Sequence, residues 1–210
     1  MIIAVDGPAA SGKGTVAKAL ARHYNLPHLD TGLLYRAVAA TVRRLELDPT
    51  READAVAACD FDELTLADPV LRTDEVGQLA SVVSAHPLVR AALLARQKRF
   101  AHQEGGAVLD GRDIGTVIAP DADAKLFIKA TPQIRARRRH AELQSHGSTL
   151  SFDKVLADIR ARDARDQGRS AAPLVRAADA ALLDTSFLSI EASVERAIAL
   201  VEEQRQPNIT

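Results

Sequence analysis

The chain has 210 residues, 47% of them hydrophobic and 26% charged, and a net charge of −1 at pH 7. That length points to one or at most two domains with a sizeable core, and the composition is ordinary for a soluble globular protein. The near-zero charge excludes a general attraction to nucleic acid or membrane. No apolar run approaches the ~18–20 residues that span a bilayer, and a chain opening directly in an apolar strand leaves no room for a signal peptide. A cytoplasmic protein is therefore expected. The lone Cys59 cannot form an internal disulfide, which fits a reducing compartment. Ala57-Ala58-Cys59-Asp60 offers no adjacent base, so a packed or partly exposed thiol is expected rather than a nucleophile.

Ile2-Ile3-Ala4-Val5 reads as a buried strand that runs into Asp6-Gly7-Pro8-Ala9-Ala10-Ser11-Gly12-Lys13-Gly14-Thr15. Gly7-x4-Gly12-Lys13 has P-loop spacing in the strand–loop–helix context the motif requires. Gly7 and Gly12 let the backbone turn tightly, so the amides from Gly7 to Thr15 point at a phosphate, helped by the positive end of the next helix. Lys13 adds a charge for the β/γ-phosphates. Gly14 stands where the strict pattern has a hydroxyl, so the metal-side hydroxyl falls to Thr15.

The first helix spans about Gly14 to Tyr24, with Val16, Ala17, Leu20, Ala21 and Tyr24 at helical spacing, and Asn25-Leu26-Pro27 stops it. His28-Leu29-Asp30 reads as a strand, Thr31-Gly32 as a turn, and Leu33 to about Leu45 as a helix. A short helix is expected over residues 51–58, then two short strands, Leu64-Thr65-Leu66 and Val70-Leu71. Residues 74–83 and 88–103 read as helices parted by His86-Pro87. Ala107-Val108-Leu109 is a buried strand that delivers Asp110-Gly111-Arg112-Asp113, and Lys125-Leu126-Phe127-Ile128 is another. Pro132 opens a helix through Leu143, His146-Gly147-Ser148 is a flexible tip, and Ser151 begins a helix to about Gln167. Ala181 to Asp184 is the last strand, and Ser189 caps a closing helix to about Gln204. Asn208-Ile209-Thr210 matches a glycosylation acceptor by chance, since no secretion is expected. Apolar strands alternating with helices predict an α/β P-loop fold of three layers, a five-stranded parallel sheet with helices on both faces, in one domain over residues 1–210.

Open parallel sheets bind ligands beyond the carboxyl ends of their strands. The P-loop, Asp30-Thr31-Gly32 and Asp110-Gly111-Arg112-Asp113 all fall there, with Arg36 close by on the next helix. Singly each has a bland reading, Asp30 as a helix cap and Arg112 as a surface ion pair; together they mark one cleft. Arg162, Arg165, Asp166 and Arg169 form one helical stripe. Three like charges repel there unless an anion joins them, and arginine suits bidentate phosphate contact. Between Ile134 and Arg176 nine arginines and one lysine meet five acidic residues, a local charge of +5. Such a segment on an acidic body points to a local anionic ligand. The sequence has no Asn-Lys-x-Asp guanine-reading motif, no zinc-ligand spacing and no Gly-x-Ser-x-Gly nucleophile. Phosphoryl transfer needs mostly positioning and charge neutralisation, which these parts supply.

The motifs Asp6-Gly7-Pro8-x3-Gly12-Lys13-Gly14-Thr15, Asp30-Thr31-Gly32-x2-Tyr35-Arg36, Ser81 with Arg90, Asp110-Gly111-Arg112-Asp113-x-Gly115-Thr116, and Arg162-Asp163-x-Arg165-Asp166-x2-Arg169 resemble those of the bacterial cytidylate kinase family. The resemblance covers most of the chain and implies transfer of the ATP γ-phosphoryl to CMP or dCMP with Mg²⁺. It implies that Gly7, Pro8, Ala9, Ala10, Ser11, Gly12, Lys13, Gly14 and Thr15, with Arg138 among the arginines Arg135, Arg138 and Arg139, hold ATP. Thr15 and Asp110 would lie on the magnesium side. Arg36, Arg112 and Arg169 would grip the acceptor phosphate, with Lys13, Arg112 and Arg169 acting in catalysis. Ser81, Arg90 and Asp113 would read cytosine, Arg162 and Asp166 would hold the ribose, and Thr31 keeps a hydroxyl where serine is common. The family's monophosphate-side insertion, here about residues 38–95, usually carries a small antiparallel sheet, for which residues 60–73 are short; about residues 135–170 form a mobile lid and arginine-rich helix. The chain is expected to act as a monomer on small molecules. Another small-substrate P-loop kinase is the nearest alternative. A nucleotide-dependent nucleic-acid binder is the other, but Phe152 is the one aromatic between Ile134 and Arg176, and single-strand binders stack bases on aromatics.

Overall fold

The computed structural model describes residues 1–145 and 147–206; His146 of the expected tip and Asn208-Ile209-Thr210 lie outside them. In chain order the elements are β1 (Ile2–Asp6), α1 (Lys13–Tyr24), β2 (His28–Asp30), α2 (Thr31–Arg44), α3 (Glu52–Ala57), α4 (Asp74–Val83), α5 (Pro87–Ala101), β3 (Ala107–Gly111), β4 (Ala124–Lys129), α6 (Pro132–Ser145), α7 (Phe152–Gly168), β5 (Ala181–Asp184) and α8 (Ile190–Arg205). The five strands form one sheet in the order β2-β3-β1-β4-β5, every pairing parallel. This is the α/β arrangement expected from the apolar strands.

β1 lies at the centre because both of its faces are apolar. Ile3 and Val5 pack with Val16 and Leu20 of α1 and Ala197, Leu200 and Val201 of α8. Ala4, on the opposite pleat, packs with Leu109, Ala101 of α5, Ile114 and Ile118. A separate apolar cluster joins α2, α4 and α5 through Leu34, Val38, Val76, Val83, Val89 and Leu93. Ala136, Leu143, Val155 and Ile159 hold α6 against α7. No single helix among the described residues is long and apolar enough to cross a membrane.

Three expectations change and one element is new. Thr31-Gly32 is not a turn before a helix but the first two residues of α2, because Asp30 caps it by accepting from the Gly32 amide at 2.9 Å. The two expected strands between 64 and 71 are 3-10 turns, Glu63–Ala67 and Pro69–Arg72. Each is started by an aspartate, Asp62 accepting from Leu64 N and Asp68 from Val70 N, so local side-chain bonding overrides the apolar pairs. Arg169 lies just past the end of α7 in extended backbone, so the stripe of Arg162, Arg165 and Asp166 is helical only that far. A π-turn at Ile114–Ile118, unmarked in the periodicity, follows Asp113.

Leu126 of β4 is 1% exposed within the cluster that seats α1 and α8 on the sheet. Leu126→Ala should cost roughly 2–5 kcal/mol in denaturant unfolding; a loss well under 1 kcal/mol would contradict this placement of the core.

Candidate active site

The strand β1 ends in a loop whose conformation is set by small residues. A Cβ on Gly7 would stand 2.1 Å from the Ile128 carbonyl oxygen, so only glycine fits. Ala10 and Gly12 take left-handed φ of 57° and 89°, curling the chain back into α1. Gly12 gives α1 no side-chain cap, which leaves first-turn amides for an anion. Ala9, Ala10, Gly12, Lys13, Gly14 and Thr15 line a cleft of about 510 Å³. Gly7, Pro8 and Ser11 are not among its lining residues; the Ser11 carbonyl accepts from Thr185 Oγ1 at 2.8 Å and Arg138 Nη1 at 3.3 Å. Lys13 Nζ lies 3.8 Å from Asp110 Oδ2, and Asp110 Oδ1 meets His28 Nε2 at 2.8 Å. Burial, followed by the nearby Arg112, pushes Lys13 down to about 8.

The strand order brings the ends of β2 and β3 to the same cleft. Thr31 Oγ1 donates to the Asp110 carbonyl at 2.9 Å, tying α2 to β3. Arg36 Nη1 donates to Leu71 O at 2.6 Å and Thr73 O at 3.1 Å, which aims its guanidinium along the cleft wall. Arg112 Nε donates to Asp166 Oδ2 at 2.8 Å, and Arg169 Nη1 stands 3.8 Å from Asp166 Oδ1. Arg90 pairs with Asp113 Oδ2 and lies 5.3 Å over the Tyr35 ring. Ser81 Oγ accepts from Arg165 Nε at 3.1 Å.

This end is short of negative charge. Among the described residues, Arg162 Nε and Arg169 Nε and Nη2 are buried without a hydrogen-bond partner. Burial, with Arg112 beside it, lowers Arg162 to about 9. Burial alone would lift Asp166, but Arg112, Arg162 and Arg169 hold its carboxyl below the usual range. Nine cationic and six anionic side chains line the cleft, on a chain whose overall charge is −1. The expected site residues Thr31, Arg36, Ser81, Arg90, Arg112, Asp113, Arg162, Asp166 and Arg169 therefore meet in one cavity with the P-loop. Asp110 sits behind Lys13. Arg138 lies against the loop at Gly12, bonded to Thr185 as well as Ser11.

Of the other α6 arginines, Arg135 makes a two-pronged pair with Asp163 and reaches the Ala9 carbonyl, while Arg139 bridges to Asp74 of α4 at 2.9 Å. Sequence reading missed Asp74, His28 and Thr185, whose partners are far along the chain. It also passed over Asp6 inside a motif it had quoted. Among the described residues no three His, Cys, Asp or Glu side chains group as a metal cage. The Asp110 carboxylate lies beside Lys13 and Gly14, and Thr15 lines the same cleft. That small hard donor set suits magnesium carried largely by phosphate oxygens and water. Cys59 is half-buried, and burial raises its thiol to about 11, which agrees with an unreactive role.

Buried donors with no partner predict an anion. Inorganic phosphate at a hundred times its dissociation constant should stabilise the fold by about 2.7 kcal/mol, a shift of a few degrees in Tm. Chloride at equal ionic strength should not match it, and Arg169→Ala should shrink the effect; no phosphate-specific shift would contradict the charge deficit.

The sequence matches the cytidylate kinase family model over residues 3–203. Cytidylate kinases of Xanthobacter autotrophicus and Bradyrhizobium sp. are each 58% identical, over 98% of this chain and 99% and 97% of their own lengths. That of Azorhizobium caulinodans is 56% identical over 98% of this chain and all of its own length. An uncharacterised protein from Eubacterium ventriosum shares the fold with a TM-score of 0.56 at 16% identity, covering 96% of this chain and 98% of that one. The crystal structure of TT1252 from Thermus thermophilus aligns with a TM-score of 0.50 at 27% identity, over 99% of this chain and 98% of its own. With a P-loop facing a guanidinium-rich pocket and a family match over nearly its whole length, the chain belongs to the cytidylate kinase family.

Proposed function

We propose that the chain is an ATP-dependent (d)CMP kinase, transferring the γ-phosphoryl of ATP to CMP or dCMP to give CDP or dCDP and ADP. One observation carries the reading: a single cleft holds a P-loop at one end and, at the other, buried guanidinium donors that have no partner among the described residues. Two phosphate-bearing molecules thus meet end to end.

In this reading the loop amides and Lys13 hold the donor phosphates, and Arg138, at the back of the loop, steadies the ATP side. Arg36, Arg112 and Arg169 hold the acceptor phosphate in line with the γ-phosphoryl. Lys13, Arg112 and Arg169 then neutralise charge as it spreads over the transferring group, which is most of what this chemistry asks of a protein. Thr15 and Asp110 are the residues that would hold Mg²⁺, which when bound would offset the charge of the phosphates. Arg162 and Asp166 take the ribose. Asp113, with Oδ2 occupied by Arg90, turns its remaining acceptor capacity to the exocyclic amine of cytosine; uracil presents a carbonyl there. Ser81 and Arg90 complete the base contacts. Residues of about 38–95 and 135–170 are read as monophosphate-binding and lid segments whose closure excludes water that would hydrolyse ATP. One chain supplies both ends of the cleft, which supports action as a monomer. Small-molecule substrates support a cytoplasmic location.

The test is ADP release from ATP with CMP, dCMP, UMP, AMP and shikimate as acceptors. CMP and dCMP should exceed the others; equal or better turnover with UMP or AMP would overturn the cytosine assignment, and turnover with shikimate would favour another small-substrate kinase. Asp113→Asn should narrow the CMP-over-UMP preference by roughly tenfold, the worth of one charge-assisted hydrogen bond. An unchanged ratio would remove Asp113 from base reading.

A further inference from the structure

Asp6 is the last residue of β1 and is 5% exposed. Its Oδ1 accepts from the Ile114 amide and its Oδ2 from the Gly115 amide, both at 2.8 Å. Its backbone pairs in register with Gly111. The segment from Gly111 to Gly115 therefore wraps one carboxylate, and the two side chains it carries into the cleft are Arg112 and Asp113. The Asp113 carbonyl accepts from Val117 and Ile118, so the π-turn continues from the same point. On its other side Asp6 leads into Gly7 and the P-loop. No salt bridge reaches Asp6 among the described residues; the two amides are what hold its charge.

We propose that Asp6 is a positioning residue for the acceptor site, its two carboxylate oxygens fixing the backbone from which Arg112 meets the phosphate and Asp113 the base. The inference rests on the (d)CMP kinase reading. An ionised carboxylate can accept from both amides; a protonated one, or an asparagine, turns one position into a donor facing an N–H that also donates. The held geometry then relaxes where it matters for CMP, while the P-loop, shaped by Gly7 and Gly12, keeps its form. Burial raises Asp6 to about 7, which puts the switch within reach of ordinary buffers. The charged groups facing it are Arg112 and Asp113 from the β3 side, while β4 brings the aliphatic stem of Lys125 beside Gly115. Lys125 is already committed to Pro120 O and Asp179.

The experiment measures kcat and KM for ATP, CMP and UMP in wild type and Asp6→Asn, each from about pH 8 to about pH 6, the range across which Asp6 takes up its proton. CMP and UMP carry the same phosphate, so its ionisation cancels in their kcat/KM ratio. In wild type the CMP-over-UMP ratio should fall as pH falls. In Asp6→Asn it should be low and flat with pH, with KM for CMP raised about tenfold and KM for ATP nearly unchanged, the loss of about one charged hydrogen bond at the acceptor alone. Equal rises in both KM values would show general distortion and overturn the proposal, as would a variant ratio equal to wild type. Should Asp6→Asn fail to fold, the wild-type ratio decides, and a flat profile overturns the proposal. Wild type inactive on CMP would instead remove the kinase reading beneath it.

Discussion

Guanidinium groups crowd the closed end of the cleft with too few carboxylates to neutralise them, and the rest of the structure serves that imbalance. Asp166 is the main internal counter-charge, shared by Arg112 at 2.8 Å and Arg169 at 3.8 Å. It cannot satisfy Arg162, whose guanidinium is pushed down to about 9 by burial and by Arg112. Buried like charges cost stability unless an opposite charge joins them, so an anion that enters is rewarded by the strain it relieves. The apolar clusters beneath the sheet and between α6 and α7 supply the stability against which that strain is held.

The sheet order gathers this local imbalance and the P-loop into one cleft. β1 and β2 flank β3, so the P-loop, the Asp30 cap and the Asp110-Gly111-Arg112-Asp113 turn open on the same side. Asp6, just before the P-loop, accepts from the Ile114 and Gly115 amides behind the cleft, and Arg139 pairs with Asp74 along its wall.

Most of the fold was legible because its signals are local. The apolar run before Gly7, the glycine spacing of the loop and the caps at Ser151 and Ser189 each depend on neighbours a few residues away. The failures also have local causes. Asp62 and Asp68 bind the backbone two residues on and convert apolar pairs into 3-10 turns, which hydropathy does not register. The site divided differently. Its residues could be named from spacing and family likeness, since Lys13, Arg112, Asp113 and Asp166 lie in compact motifs. Their partners could not. The bonds from Thr185 to Ser11, His28 to Asp110 and Asp6 to Ile114 join positions 174, 82 and 108 residues apart, and no periodicity encodes such distances.

The central claim is that one cleft receives both nucleotides with their phosphates facing each other. It is tested most directly by calorimetric titration with a dinucleotide in which adenosine and cytidine are joined 5′ to 5′ through a chain of phosphates. The account predicts one molecule bound per chain, far more tightly than ATP or CMP alone, and displacement by either ATP or CMP. Binding that ATP displaces and CMP leaves untouched would contradict it.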